Sequence, residues 1–290
     1  MGTFTLVSTA PGPRVHTALV LGGGGITGIA WMLGILKGLR DAGLDLTGAD
    51  TVVGTSAGSV VGAQVTSSHD LDELYAGQLE PPDHEIGAGL GLREIAAMAV
   101  PALIPGSPRK RRRRVGKAAL RAHPDGGAQQ RIEVIRSRIQ VEDWPDRDLR
   151  ITAVDAENGR FTVFDKQGPA DIVHAVAASC AVPVVWPPVT IAGTPYIDGG
   201  VRSPANADLA ADADAVVVLA PLARGLSKAG SAEAQVRRLA RRSTLVVPDK
   251  EALRSFGRNV LDPAKRADAA RAGLRQSAEV VEQVRAVWPQ

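Results

Sequence analysis

Residues 16–28 run His16-Thr17-Ala18-Leu19-Val20-Leu21-Gly22-Gly23-Gly24-Gly25-Ile26-Thr27-Gly28. After the leading histidine, the run to Leu21 is apolar or β-branched, which predicts a buried strand. Ile26 to Ala42 then carries apolar residues at helical spacing. The four glycines between them leave no Cβ atoms on a turn that passes directly from strand to helix. Thr51 to Gly54 and Ala57 to Ser67 repeat the order strand, tight turn, helix. Two such units in succession predict an α/β fold with a parallel sheet covered by helices.

Further strands are expected at Leu149 to Asp155 and Arg160 to Asp165, joined by the turn signal Glu157-Asn158-Gly159, and at Val216 to Leu219. Ala170 to Ser179 reads as a helix. Ser231 to Trp288 reads as helical, broken near Pro248 and Pro263, with Leu274, Val281, Val284 and Trp288 on one face. Residues 69–148 are less regular. They hold helical patches at 92–104 and 128–140, separated by the basic run 109–114.

The chain has 290 residues, 44% hydrophobic and 22% charged, so it can bury a sizeable core without covalent staples. One cysteine excludes a disulfide framework within the chain and a cysteine-cluster metal site. The five histidines show no metal-binding spacing, and the acidic group Glu142, Asp143, Asp146 and Asp148 reads as a solvated loop. No metal or cofactor is therefore expected. A net charge of +3 and 3% aromatic residues do not suit a nucleic-acid binder that works by base stacking. Residues 1–15 read as a loose arm with no basic segment and only a short apolar run, so a secretory signal is not expected and the location reads as cytoplasmic. Ile86 to Ile104, the stretch nearest to a membrane span, is interrupted by Arg93, Glu94 and Pro101.

Gly23, Gly25 and Gly28 fit a GxGxxG pattern, but no acidic residue ends the second strand as a dinucleotide site requires. A Gly-rich turn at a helix N-terminus also offers backbone N–H groups to an oxyanion. An oxyanion hole, a phosphate site and a purely structural turn all remain open from this motif alone. Gly54-Thr55-Ser56-Ala57-Gly58 matches GxSxG, the sharp strand-to-helix turn that exposes a nucleophilic serine. Its bland alternative is a serine that only caps the helix. No histidine follows His174, so an ordinary Ser…Asp…His order cannot be built, and His174 itself reads as structural. Asp198-Gly199-Gly200 offers a carboxylate beside a turn. Cys180, among small residues, reads as a buried hydrophobe.

Taken together, LGGGGITG at 21–28, GTSAGS at 54–59, the segment Ala177-Ala178-Ser179-Cys180-Ala181-Val182-Pro183, Pro187-Pro188-Val189 and Tyr196-Ile197-Asp198-Gly199-Gly200 resemble the patatin-like phospholipase family over about residues 16–220. The resemblance implies a three-layer α/β/α sandwich with a mainly parallel sheet. Residues 16–220 would form the catalytic domain, with a helical and basic insertion at about 69–148, and residues 221–290 would be helices packed on the same domain. It also implies a serine hydrolase that cleaves fatty-acyl esters of lipids, of phospholipase A or lysophospholipase type, with a Ser56–Asp198 dyad and an acyl-enzyme. Gly23, Gly24 and Gly25 would supply the oxyanion hole. Thr27 departs from the pattern, standing where the family's loop often carries arginine. An acyltransferase using the same dyad and a silent lipid- or nucleotide-binding regulator are the alternative functions. Arg109, Lys110, Arg111, Arg112, Arg113 and Arg114, next to an apolar stretch, raise the expectation of peripheral contact with an anionic membrane. A solvated basic loop is the plainer reading of that run. The expected partner is a lipid or other acyl-ester substrate, not nucleic acid.

Overall fold

The structure, a computed structural model, describes residues 14–81, 92–123, 127–225, 227–239 and 242–289. Most of the amino-terminal arm, and residues 86–91 of the apolar stretch, lie outside the described residues. The elements are β1 (Thr17–Leu21), α1 (Gly25–Asp41), β2 (Thr51–Gly54), α2 (Ala57–Val65), α3 (Leu71–Leu79), α4 (Leu92–Leu103), α5 (Pro108–Ala122), α6 (Gln129–Ile139), β3 (Asp148–Asp155), β4 (Phe161–Phe164), α7 (Ile172–Ser179), β5 (Val189–Ile191), β6 (Thr194–Asp198), β7 (Ala215–Leu219), α8 (Ala232–Val236), β8 (Arg242–Val246), α9 (Lys250–Phe256) and α10 (Arg266–Arg285).

The sheet order is β5-β6-β3-β2-β1-β7-β8, with β4 also paired to β3. From β3 to β8 the pairs are parallel; β4, β5 and β6 join antiparallel. Both faces of the parallel part are covered, so its central strands β1, β2 and β7 are buried at every position instead of alternating. Leu19 and Leu21 of β1 face a large cluster with α1, α2, α7 and α10. Ala18 and Val20 face a smaller cluster with Ala205, Ala207, Ala210 and α8. These two clusters are the interfaces of a three-layer α/β/α arrangement. The carboxy-terminal helix packs closely on the first helix: a Cβ on Gly273 would come 2.2 Å from the Trp31 carbonyl. There the Trp31 indole donates to Gln276 Oε1 at 2.9 Å.

One detail of pairing positions the site. β3 pairs with β2 through residues 148–151 and with β6 through residues 153–155. β4 pairs with residues 151–154 and so overlaps both stretches. It must take the opposite edge of β3, which leaves β2 and β6 end to end on one edge. β2 runs parallel to β3 and β6 antiparallel, so their C-terminal ends meet. Gly54 stands opposite Ile151 and Asp198 opposite Ala153, with Thr152 between.

Two expectations change. The basic run 109–114 is not a loop but the first turns of α5, capped by Ser107, whose Oγ accepts from the Lys110 N–H at 3.3 Å. Like-charge repulsion is relieved there by carbonyl acceptors: Arg112 Nε donates to Gly159 O at 2.9 Å and Arg114 Nη1 to Ile104 O at 2.8 Å. Residues 231–288 are not helical throughout, because β8 lies within them at the sheet edge beside β7. Five residues paired on one side carry too short a pattern to separate strand from helix. The β5–β6 hairpin was also not read, although it delivers Asp198.

Candidate active site

β2 delivers Gly54 to the elbow, and Ser56 adopts φ 52° and ψ −119° before α2 begins. A non-glycine residue there is strained by about 1–3 kcal/mol and persists only where its surroundings hold it. The holders are visible. The Ser56 N–H donates to Ser179 Oγ at 2.9 Å. The Ser56 carbonyl accepts from Ser59 Oγ at 2.7 Å and from the Cys180 thiol at 3.3 Å. The Ser56 side chain makes no capping bond to α2, which removes the helix-cap reading. Its hydroxyl instead acts on the Asp198 carboxyl across the cavity they both line, favouring the ionised form.

Asp198 ends β6. Its N–H donates to Ala181 O at 3.0 Å, and its Oδ1 accepts from the Gly200 N–H at 2.7 Å. Ser179, Cys180 and Ala181, at the end of α7, thus hold the elbow and the aspartate together. Burial pushes the Asp198 carboxyl up to about 6, against the pull of its bonds from Ser56 and Gly200. A carboxyl in that range is ionised at neutral pH and yet a far better base than an exposed aspartate.

The glycine turn faces the elbow: a Cβ on Gly23 would lie 3.4 Å from the Ser56 Cβ. The Gly23 N–H, however, donates to Pro204 O at 2.7 Å. The Gly24 and Gly25 amides, at the N-terminus of α1, make no backbone hydrogen bond among the described residues. Thr27 is buried, and its hydroxyl lies 3.4 Å from Val260 O and 3.5 Å from Gly24 O. No charge therefore enters the loop at that position.

Ser56, Asp198, Gly24 and Gly25 open on a mostly apolar cavity of about 330 Å³, walled in part by Trp186 and Leu222. Arg131 also lines it, its guanidinium 4.4 Å from the centre of the Trp186 ring. Cys180 reaches the cavity as a thiol, pushed up to about 11 by burial. His174 stands apart, its Nδ1 2.7 Å from Asp171 Oδ2. Among the described residues no histidine is bonded to Ser56 or Asp198.

Beneath the site lies a network that the sequence reading did not find. Thr55 Oγ1 meets Thr152 Oγ1 at 2.9 Å, and the buried Asn206 amide donates to Thr55 Oγ1 at 3.0 Å. Gln235 Oε1 accepts from Ser203 Oγ at 2.8 Å and from the Ala207 N–H at 3.0 Å. Asn206 sits in the left-handed region, φ 53°, so in sequence it looks like any turn asparagine. Its partner Thr55 lies 151 residues away, beyond any local signal.

The family model described as patatin-like phospholipase matches residues 19–211. No curated protein matches the chain significantly. Among solved structures, the chain is similar to VipD from Legionella pneumophila (TM-score 0.48, 14% identity), over 93% of this chain and 67% of that one. It is also similar to the type III effector ExoU (TM-score 0.41, 18% identity), over 94% of this chain and 53% of that one. ExoU in complex with SpcU from Pseudomonas aeruginosa gives TM-score 0.42 at 17% identity, again over 94% of this chain and 53% of that one. The chain thus spans about half the length of ExoU.

Proposed function

The chain belongs to the patatin-like phospholipase family, and from that premise we propose that it hydrolyses fatty-acyl esters of lipids through Ser56 and Asp198. The observation that carries this reading is the pairing of the two groups on one cavity: a serine held in a strained turn beside a buried carboxyl raised to about 6. Asp198 takes the Ser56 proton as Oγ attacks the ester carbonyl. The Gly24 and Gly25 amides hold the oxyanion of the tetrahedral intermediate. The departing alcohol collects the proton from Asp198, leaving an acyl-enzyme. Water, deprotonated by Asp198, then releases the fatty acid and restores the serine. The Gly23 amide, spent on Pro204, positions the loop and does not donate to the oxyanion.

The experiment is a panel of lysophospholipids, phospholipids and p-nitrophenyl esters on the purified chain beside three variants. Ser56→Ala and Asp198→Asn are each expected to lose at least about 10³-fold in kcat/KM, while His174→Ala keeps most activity. Because the base must be ionised, kcat/KM is expected to fall at acid pH with a midpoint near 6. A His174→Ala protein that is folded but as inactive as Ser56→Ala would replace the dyad with a triad. Including glycerol or a thiol as acceptor measures acyl transfer in the same assay.

A further inference from the structure

The surface beside the catalytic cavity combines an exposed apolar tip with an acid-free basic helix. At the end of α4, Val100, Leu103 and Ile104 expose 58%, 75% and 47% of their area. Single exposed apolar residues need no explanation, but three in five positions at the tip of one hairpin do. The next element, α5, has 15 residues and no acid among them. Arg109, Lys110, Arg113, Lys117 and Arg121 are exposed. At the helical repeat they share an arc of about 120°. Among the described residues none of these five makes an ion pair with an acid.

The opposite face of α5 is fixed to the body. Val115 and Ala119 are buried, and Ala102 of α4 packs with Val115, Ala119 and Val201 in one cluster. Arg114 ties the two helices together through the carbonyls of Ile104 and Pro105. The basic stripe and the apolar tip are therefore parts of one rigid hairpin. Val115 and Val201 also line the catalytic cavity, as does Leu222, which is itself 41% exposed.

We propose that the α4–α5 hairpin is a docking surface for an anionic phospholipid bilayer, with Val100, Leu103 and Ile104 entering the interface and Arg109, Lys110, Arg113, Lys117 and Arg121 resting on the headgroups. Apolar side chains next to an acid-free basic stripe match a surface that is apolar beneath and negatively charged on top. A nucleic acid would use the cations but gains nothing from Leu103 and Ile104. Among the described residues no helix is long and apolar enough to cross a membrane, so the attachment is peripheral. The inference rests on the lipid-ester reading only in the use made of the contact: a docked hairpin brings the cavity rim to the lipid.

Binding is measured without turnover, by co-sedimentation of the whole chain with phosphatidylcholine vesicles, with and without phosphatidylglycerol. The wild type and Ser56→Ala are both expected to bind the anionic vesicles and to leave the neutral ones in solution. Raising salt from about 0.05 M to about 0.5 M weakens binding, since charge on this face is exposed to screening. Arg109→Gln, Lys110→Gln, Arg113→Gln and Lys117→Gln combined are expected to lose about tenfold or more in affinity. Leu103→Ser with Ile104→Ser is expected to lose at least about tenfold at fixed salt, a part of the transfer free energy of two apolar side chains. Arg109→Lys with Arg113→Lys keeps the charge and should keep binding, and thermal unfolding of each variant reports its folded state. Equal vesicle binding by wild type and the glutamine variant overturns the proposal. So does a serine variant that binds as wild type does, with a DNA duplex competing the vesicles away, because that pattern belongs to a polyanion site. An inactive wild type that still binds in this pattern would sink the hydrolase reading and leave the docking surface standing.

Discussion

The two turns that carry the dyad reach the same cavity by opposite means. At the elbow, Ser56 has an uncharged side chain and a strained backbone, φ 52° and ψ −119°. At the β6 turn, Asp198 has a relaxed backbone, φ −46° and ψ 132°, and a strained electrostatic environment. Burial there acts against ionisation and raises its carboxyl to about 6. The nucleophile is thus held ready sterically, and the base is tuned by loss of water. Steric strain does not depend on pH, whereas the desolvation of a carboxyl does. The two kinds of cost can therefore be separated by experiment.

The third component, the glycine turn, puts the largest stress on this comparison, since it must hold its donors against both. A Cβ on Gly24 would lie 2.4 Å from the Pro221 Cβ, and one on Gly25, at φ 62°, would lie 2.6 Å from the Val260 carbonyl oxygen. Alanine keeps the amide N–H, so its effect is to move the donor. Gly24→Ala and Gly25→Ala are each expected to lower kcat by about 10²–10³, the size of one misplaced oxyanion donor, with a smaller change in KM. Steady-state kinetics on a soluble ester check this. A variant with normal kcat and a raised KM would make the turn a binding element and break the three-part division of labour.

The next effect is thermodynamic. The folded pKa of Asp198 lies above its unfolded value, so the native state binds the proton more tightly. Stability from this group is full below the unfolded value near 3.8 and is lost as pH rises towards about 6. Above that the ionised carboxylate destabilises the fold by up to about 3 kcal/mol. Asp198→Asn has no proton to lose. It is expected to be more stable than wild type at pH 8, with the advantage shrinking as pH falls to 4. Denaturant melts at both pH values measure it. An advantage of the same size at both would mean that packing, not charge burial, dominates at Asp198.

How far these features could be read from sequence follows from the distance over which each is determined. The β1 and β2 units are local patterns bounded by glycine, and the observed strands Thr17–Leu21 and Thr51–Gly54 fall within or on the expected ranges. Ser56 and Asp198 were each marked by a turn signature and by the family resemblance. Their meeting depends on β2 and β6 sharing one edge of β3, which no local pattern encodes. The same holds for the Asn206 bond to Thr55 and for Arg131 against Trp186. The Gly23 amide illustrates the limit at atomic scale. Four identical glycines look equivalent in sequence, yet the Leu219 and Pro204 carbonyls engage the N–H groups of Gly22 and Gly23 and leave those of Gly24 and Gly25 to the cavity. In the basic run, charge composition hid the capping signal Ser107-Pro108.

The smallest expected effect separates the two turns most cleanly. Ser56 occupies a backbone region open to glycine and costly for other residues, so Ser56→Gly relieves about 1–3 kcal/mol of strain. Glycine also gives up about 0.5–1 kcal/mol through the greater freedom of its unfolded chain. The proper reference is Ser56→Ala, which loses the same hydroxyl and the same influence on Asp198 but keeps the strained backbone. Ser56→Gly is therefore expected to be more stable than Ser56→Ala by about 1 kcal/mol. Both variants leave Asp198 with equal partners, so the difference should be the same at pH 4 and pH 8, in contrast to the pH-dependent gain of Asp198→Asn. Matched denaturant melts of the two variants supply the number. If glycine is no more stable than alanine, the elbow is not held under strain, and the contrast between a sterically held nucleophile and an electrostatically tuned base fails at its first term.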